Sequence, residues 1–255
     1  MIYRIKKVLY RILPTRWYLA SMQYGFFVLF DLGLLKQDTR FKFHYAVKKL
    51  IQETDVVLDI GANLGYFSKL FARKNRKGKL YAVEPIPDFH QRLRALLKKY
   101  PQVEVVHAAL GAKTGVLPMV MPVQRGVLRT GLPHIISEDE AKSHPSVVRV
   151  EVLEASSFLR TISRLDYLKC DIEGYEWTVF STLEIELNRL RPVIQIEISE
   201  RFIEEFCAFF KRLEYVQFGL YEGRLMEEQG FQRETSDFIF IPQEKVASII
   251  AKFNQ

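Results

Sequence analysis

Hydrophobic and polar positions change their period several times along this chain of 255 residues. Residues 56–60 read Val-Val-Leu-Asp-Ile and stop at Gly61. A short apolar run bounded by glycine predicts a strand covered on both faces, as in a parallel sheet. The pattern continues with a helix over 64–74, a strand over 80–84, a helix over 89–99 with Leu93, Leu96 and Leu97 inward, and a strand over 103–107. Asp88, after Pro85 and Pro87, reads as a helix N-cap. Residues 108–111 (Ala-Ala-Leu-Gly) read as the turn closing the third strand, and His107 as a strand-end histidine.

Residues 112–150 break the alternation with Gly115, Pro118, Pro122, Gly126, Gly131, Pro133 and Pro145. Val116–Met121 and Val147–Val152 predict an antiparallel hairpin. Between them a flexible loop is expected, carrying Arg125, Arg129, His134, His144 and the acidic run 138–140, the last as plain solvated surface. Long loops inside a domain often select substrate. Strand and helix patterns then resume: strands over 165–170, 192–197, 215–220 and 237–241, with helices from about Gly174 and over 202–213. This order predicts an α/β domain, a doubly wound and mostly parallel sheet with ligands at the carboxyl ends of its strands.

An N-terminal extension (1–42) precedes the domain (43–255). Ile2, Ile5, Val8, Leu9 and Ile12 stand at helical spacing, with Arg4, Lys7 and Arg11 along another face. Two readings are open: residues 1–16 lie on an anionic membrane surface, or the helix caps the sheet with solvated charges. Pro14 ends the helix. Residues 17–30 carry no charge, but a spanning helix needs about twenty apolar residues. No small-residue cleavage site follows, which argues against a signal peptide. A further helix over 41–51 places Phe43, Val47 and Leu50 on one face, and its Phe-Lys-Phe-His-Tyr start is expected to line the cleft.

Composition narrows the picture. At 48% hydrophobic residues the chain can bury one sizeable core. Cys170 and Cys207 have neither zinc nor disulfide spacing, which points to a reducing, cytoplasmic setting. The five histidines show no metal-ligand spacing. The net charge of +7 sits on the arm, where residues 1–50 hold ten Lys/Arg against Asp31 and Asp38. A nucleic-acid groove would load the folded domain instead, so no nucleic-acid partner is expected.

Gly61 and Gly65 allow close approach of backbone to a ligand. About twenty residues on, Glu84 is placed to accept hydrogen bonds from both hydroxyls of a ribose. A dinucleotide fold requires G-x-G-x-x-G, and here Asn63 holds the second glycine position. S-adenosylmethionine, which has a ribose but no phosphate, fits better. Asp59, Glu84, Asp171 and Glu197 each end an apolar strand, gathering four acids at one sheet edge.

Residues 169–176 read K-C-D-I-E-G-Y-E. With the D-I-G-A-N-L-G-Y of 59–66, Glu84-Pro85, the R-P-V-I-Q-I-E of 191–197 and the D-F-I-F-I-P of 237–242, the chain resembles the FkbM family of S-adenosylmethionine-dependent O-methyltransferases over roughly residues 43–242. It departs at Val152-Leu153-Glu154, where that family shows T-L-D. The resemblance implies the seven-stranded class I methyltransferase fold, with Asp59, Gly61, Asn63 and Gly65 at the methionine end of the cofactor, Glu84 at the ribose and Ala108 and Ala109 near the adenine.

A sugar hydroxyl needs a base or a metal ion to become a nucleophile. Asp171, as base or metal ligand, and Glu173 are the catalytic candidates, with Lys169 keeping a neighbouring acid ionised. Asp171 and Glu197 are candidate ligands for Mg2+. Glu176 reads as an ordinary acid in a first helical turn. The expected function is methyl transfer to a hydroxyl of a saccharide, glycolipid or related natural product, at the inner face of a membrane. A non-sugar acceptor and a binding protein without turnover are the alternatives. Amino methylation is disfavoured, because Asp171-Ile172-Glu173-Gly174 replaces the Asn/Asp-Pro-Pro-aromatic tetrad. Asn63 disfavours a nicotinamide enzyme.

Overall fold

A computed structural model describes residues 2–124, 126–228 and 237–254; Arg125 and the side chains of Ile2 and Arg4 lie outside the described residues. In chain order the strands are β1 (Val56–Ile60), β2 (Lys79–Val83), β3 (Val103–Val106), β4 (Ala109–Gly111), β5 (Gly115–Val120), β6 (Val123–Gln124), β7 (Val127–Leu128), β8 (His134–Ile135), β9 (Val147–Glu154), β10 (Tyr167–Cys170), β11 (Val193–Glu197), β12 (Tyr215–Tyr221), β13 (Arg224–Glu227) and β14 (Asp237–Pro242).

The main sheet has the order β13-β12-β14-β11-β10-β1-β2-β3. The neighbouring strands β3, β2, β1, β10 and β11 pair in parallel, and β14 runs antiparallel to both its neighbours. The chain reverses beside β1, between β2 and β10, which is the switch point where such sheets bind ligands. Asp59 of β1 stands in register with Lys169 of β10, and that pairing sets the electrostatics of the site. β13 is a strand beyond the seven expected. Its four residues are too few to show an alternating pattern, and it forms by hairpin pairing with β12.

Alternate residues of β1 feed two cores. Leu58 and Ile60 pack with Leu168, Phe180 and Phe206 on one face; Val57 packs with Phe71, Leu80 and Tyr167 on the other. The N-terminal arm belongs to this packing. Helix α1 (Ile2–Ile12) lies against β7, and α2 (Thr15–Asp31) buries Tyr18, Leu19, Gln23, Phe27 and Phe30. α3 (Lys42–Leu50) follows a short 3-10 turn at Thr39–Phe41 and buries Phe43 and Val47.

The second sheet, β4-β9-β5-β8, contains the expected hairpin, with Gly115 opposite Val152 and Val120 opposite Val147. Four local readings are corrected. Residues 109–111 are not a turn but β4, paired in parallel with β9. The stretch between the hairpin strands is not an unstructured loop: it holds the β6–β7 ribbon, β8 and a helix, Glu138–Ser143. The acidic run forms the first turn of that helix, closed by a reciprocal Ser137–Glu140 capping box. The helix after β2 starts at Pro87, so Asp88 lies in its first turn and makes no cap bond. The helix after the glycine turn, α4 (Ser68–Lys74), begins a turn later than its apolar pattern suggests.

Candidate active site

β1 ends in a turn that other strands hold rigid. The amides of Gly61 and Ala62 donate to the Val83 carbonyl, and the Asp171 amide donates to the Ile60 carbonyl. Gly61 has φ +78°, and a Cβ there would lie 2.1 Å from the Asp171 carbonyl oxygen. At Gly65 a Cβ would meet Leu93 and Leu96 of α5 (Pro87–Leu97) within 2.9 Å. Both glycines therefore serve chain-to-chain approach, besides any approach to a ligand. Asn63, at φ 53°, takes the left-handed conformation that asparagine tolerates better than most residues.

Glu84 is buried at the end of β2, with one oxygen accepting the Asn63 amide at 2.8 Å and the other the Ile86 amide at 2.9 Å. Burial raises its carboxyl to about 7. Asp59 is 1% exposed; Ser68 Oγ donates to one of its oxygens at 2.5 Å, while Oδ1 has no hydrogen-bond partner. Lys169 Nζ lies 3.2 Å from Asp171 and 3.8 Å from Asp59. Burial works against that charge, but Asp171 and Asp59 outweigh it and hold the ammonium above its ordinary range.

The segment after β10 carries the remaining acids. Glu173 has φ 55°, outside the usual range for its residue type. Glu176 Oε1 accepts the amides of Ile172 (2.9 Å) and Gly174 (3.2 Å), so this acid staples the loop as well as starting its helix. Burial first, then the charges of Asp171 and Glu176, lift Glu173 to about 7. Carboxylate oxygens of Asp171, Glu173 and Glu197 lie within 4.8 Å of one another. Asp237, opposite Glu197 in register, is raised to about 6 by burial and by Asp171.

These groups line one cleft enclosing about 780 Å³, mouth included. Asp59, Gly61, Asn63, Glu84, Lys169, Asp171 and Glu173 all border it, together with His44, Tyr66, Phe67, Met119 and Pro133. Gly65, Ala108, Ala109 and Glu197 do not line it: Gly65 packs on α5, the two alanines are buried at the start of the second sheet, and Glu197 lies within 4.8 Å of Asp171 and Glu173 without bordering the cleft. His44, within the Phe-Lys-Phe-His-Tyr stretch, stacks on Phe67 with ring centres 3.8 Å apart. Burial and then Lys169 push it down to about 3, so the ring is neutral, and its Nδ1 has no partner. Met119 and Pro133 come from the second sheet and the segment it anchors, contacts that no local sequence signal marks.

The family description of the methyltransferase FkbM domain matches residues 59–232. The chain belongs to the FkbM methyltransferase family. Methyltransferase sdnD of Sordaria araneosa is 27% identical over 179 residues, covering 56% of this chain and 66% of that protein. The AMB antimetabolite synthetase AmbE of Pseudomonas aeruginosa is 47% identical over 51 residues, 20% of this chain and 2% of that protein. The chain spans less than two thirds of the length of each of these relatives. A solved structure of methyltransferase FkbM from Methylobacillus flagellatus has the same fold, with TM-score 0.50 and 14% identity over 74% of this chain and 44% of that one. The FkbM match starts within β1, so α1, α2 and α3 lie outside it.

Proposed function

We propose that this FkbM methyltransferase takes its methyl group from S-adenosylmethionine and places it on a hydroxyl of a saccharide, glycolipid or related natural product. The reading is carried by one observation: a buried Glu84 and the acids Asp171 and Glu173, which lie close to Glu197, line the same cleft. The cofactor fits the residues present. Glu84 still has lone pairs for two ribose hydroxyls, and the buried Oδ1 of Asp59, with Lys169 3.8 Å away, still accepts no hydrogen bond and could take one from an amino acid's ammonium. When bound, S-adenosylmethionine supplies a methyl group on a positively charged sulfur, open to in-line attack.

The chain's own part is to bind, orient and move one proton. Glu173, its carboxyl raised to about 7 by burial and its acidic neighbours, is matched to take the proton of an acceptor hydroxyl at neutral pH. Asp171 is held by Lys169, and Glu176 fixes the loop that carries both acids. Phe67, Tyr66 and Met119 supply apolar wall against water. Asp171, Glu173 and Glu197 are an all-oxygen set that fits a hard divalent ion such as Mg2+. Such an ion would lower the pKa of an acceptor hydroxyl.

The test is transfer of labelled methyl from S-adenosylmethionine to a panel of glycans and glycolipids, with magnesium and with a chelator. Labelled hydroxyl ethers, lost in Glu173→Gln, support the reading. Label on amino groups alone, or cofactor binding with no transfer to any acceptor, would count against it.

A further inference from the structure

Two rows of large apolar side chains on the arm face outward. On α1, Ile5, Val8 and Ile12 are 53, 56 and 67% exposed. On α2 and its last turn, Trp17, Tyr24, Val28 and Leu32 are 57, 70, 53 and 69% exposed, and their spacing puts them on one helical face. The opposite face of α2 is fully used in the core. A helix apolar on both sides has a second partner to find.

Positive charge accompanies these rows. The exposed Lys7 and Arg11 lie on α1, and Arg16 sits beside Trp17, its guanidinium 5.7 Å from the ring centre. Both acids of the first fifty residues are held by arginines, Asp38 by Arg40 and Asp31 by Arg73. Lys6 has the charges of Arg129 and Arg40 as neighbours, which add to desolvation in holding it below its ordinary range. Arg129 belongs to the segment that brings Gly131 and Pro133 to the cleft. The inner side of α2 reaches the same region: Tyr18 OH donates to the Leu128 carbonyl at 3.3 Å, and Gln23 Nε2 to the Leu64 carbonyl at 2.7 Å.

We propose that the outward faces of α1 and α2 form a docking surface for an anionic phospholipid bilayer, the apolar rows entering the head-group region and the basic side chains meeting lipid phosphates. Charge decides the occupant. A second copy of the chain would bring two basic arms face to face, whereas an anionic bilayer complements both the charge and the aromatic-aliphatic rows. No helix among the described residues is long and apolar enough to cross a membrane, so the arm lies on the surface. Docking presses on the helix that braces both the glycine turn and the cleft-covering segment. This goes beyond the methyl-transfer reading and needs no turnover to test.

The experiment is co-sedimentation of the full chain with vesicles of phosphatidylcholine, alone or with added phosphatidylglycerol, beside light scattering for self-association. The parent protein is expected to pellet with the anionic vesicles and shift its Trp17 fluorescence to the blue, a shift lost in Trp17→Phe. Val28→Asp is expected to cut vesicle partition at least tenfold. Arg11→Glu with Arg16→Glu is expected to abolish the preference for anionic vesicles. Circular dichroism melts of each variant matching the parent would show that the fold survives. Equal pelleting of parent and variants, no preference for anionic lipid, or a parent dimer that Val28→Asp splits would each overturn the proposal.

Discussion

The carboxylate of Glu84 accepts the backbone amide of Asn63 at 2.8 Å, tying the end of β2 to the turn that leaves β1. One side chain thus shapes the turn and faces the cleft. Glu84→Ala is expected to weaken S-adenosylmethionine binding by about 1–3 kcal/mol, because it leaves ribose hydroxyls and two buried amides unpaired. Titration calorimetry measures this directly; unchanged affinity would remove the nucleoside assignment.

Glu84 also sets a pH dependence. Its carboxyl rises from 4.5 to about 7 on folding, through burial. A carboxyl raised in this way holds its proton more tightly in the folded state, so its support is complete below about pH 4.5 and is lost as pH climbs through about 7. Glu173 and Asp237, raised to about 7 and about 6, act in the same direction. The cofactor-free protein is therefore expected to melt at falling temperature over that window. Glu84→Gln should flatten part of the slope, and calorimetric scans of both proteins decide it.

Glu173→Gln is expected to reduce kcat by about 10²–10⁴, the usual worth of a positioned general base, with little change in cofactor affinity. A fall in cofactor affinity as large as the fall in kcat would instead make Glu173 part of the donor site.

Gly61→Ala places a methyl against the Asp171 carbonyl and forces alanine to a positive φ. A loss of about 2–4 kcal/mol in urea unfolding is expected. An alanine variant as stable as the parent would show that the two loops can part.

Gln23 bridges the arm to the site, donating to the Leu64 carbonyl and accepting from Arg92 at 2.6 Å. Gln23→Leu should cost about 1–3 kcal/mol by stranding both partners. Cofactor affinity is expected to fall with it, since the Leu64 carbonyl belongs to the glycine turn.

Much of this was legible in the sequence because it is local. The strand-glycine-helix run at 56–67, the acid at 84 and the acids at 171 and 173 keep their spacing in the folded cleft. The hairpin of β5 and β9 was legible as two apolar segments on either side of a glycine- and proline-rich stretch. Tertiary contacts hid the rest. Ala108 and Ala109 are buried, and Ala109 opens β4 beside β9, a pairing with a strand more than forty residues away that no local run of small residues marks. Gln23 stands in an uncharged helical stretch that carries no mark of a link to Leu64, 41 residues away. Glu176 looks like a routine helix-start acid until its two amide partners are known.

The contact between Gly61 and the carbonyl of Asp171 has a mechanical outcome. The half of the cleft that would grip the donor and the half that would grip the acceptor share one backbone junction. If occupancy of one half steadies the other, thermodynamic reciprocity requires each substrate to tighten its companion's hold to the same degree.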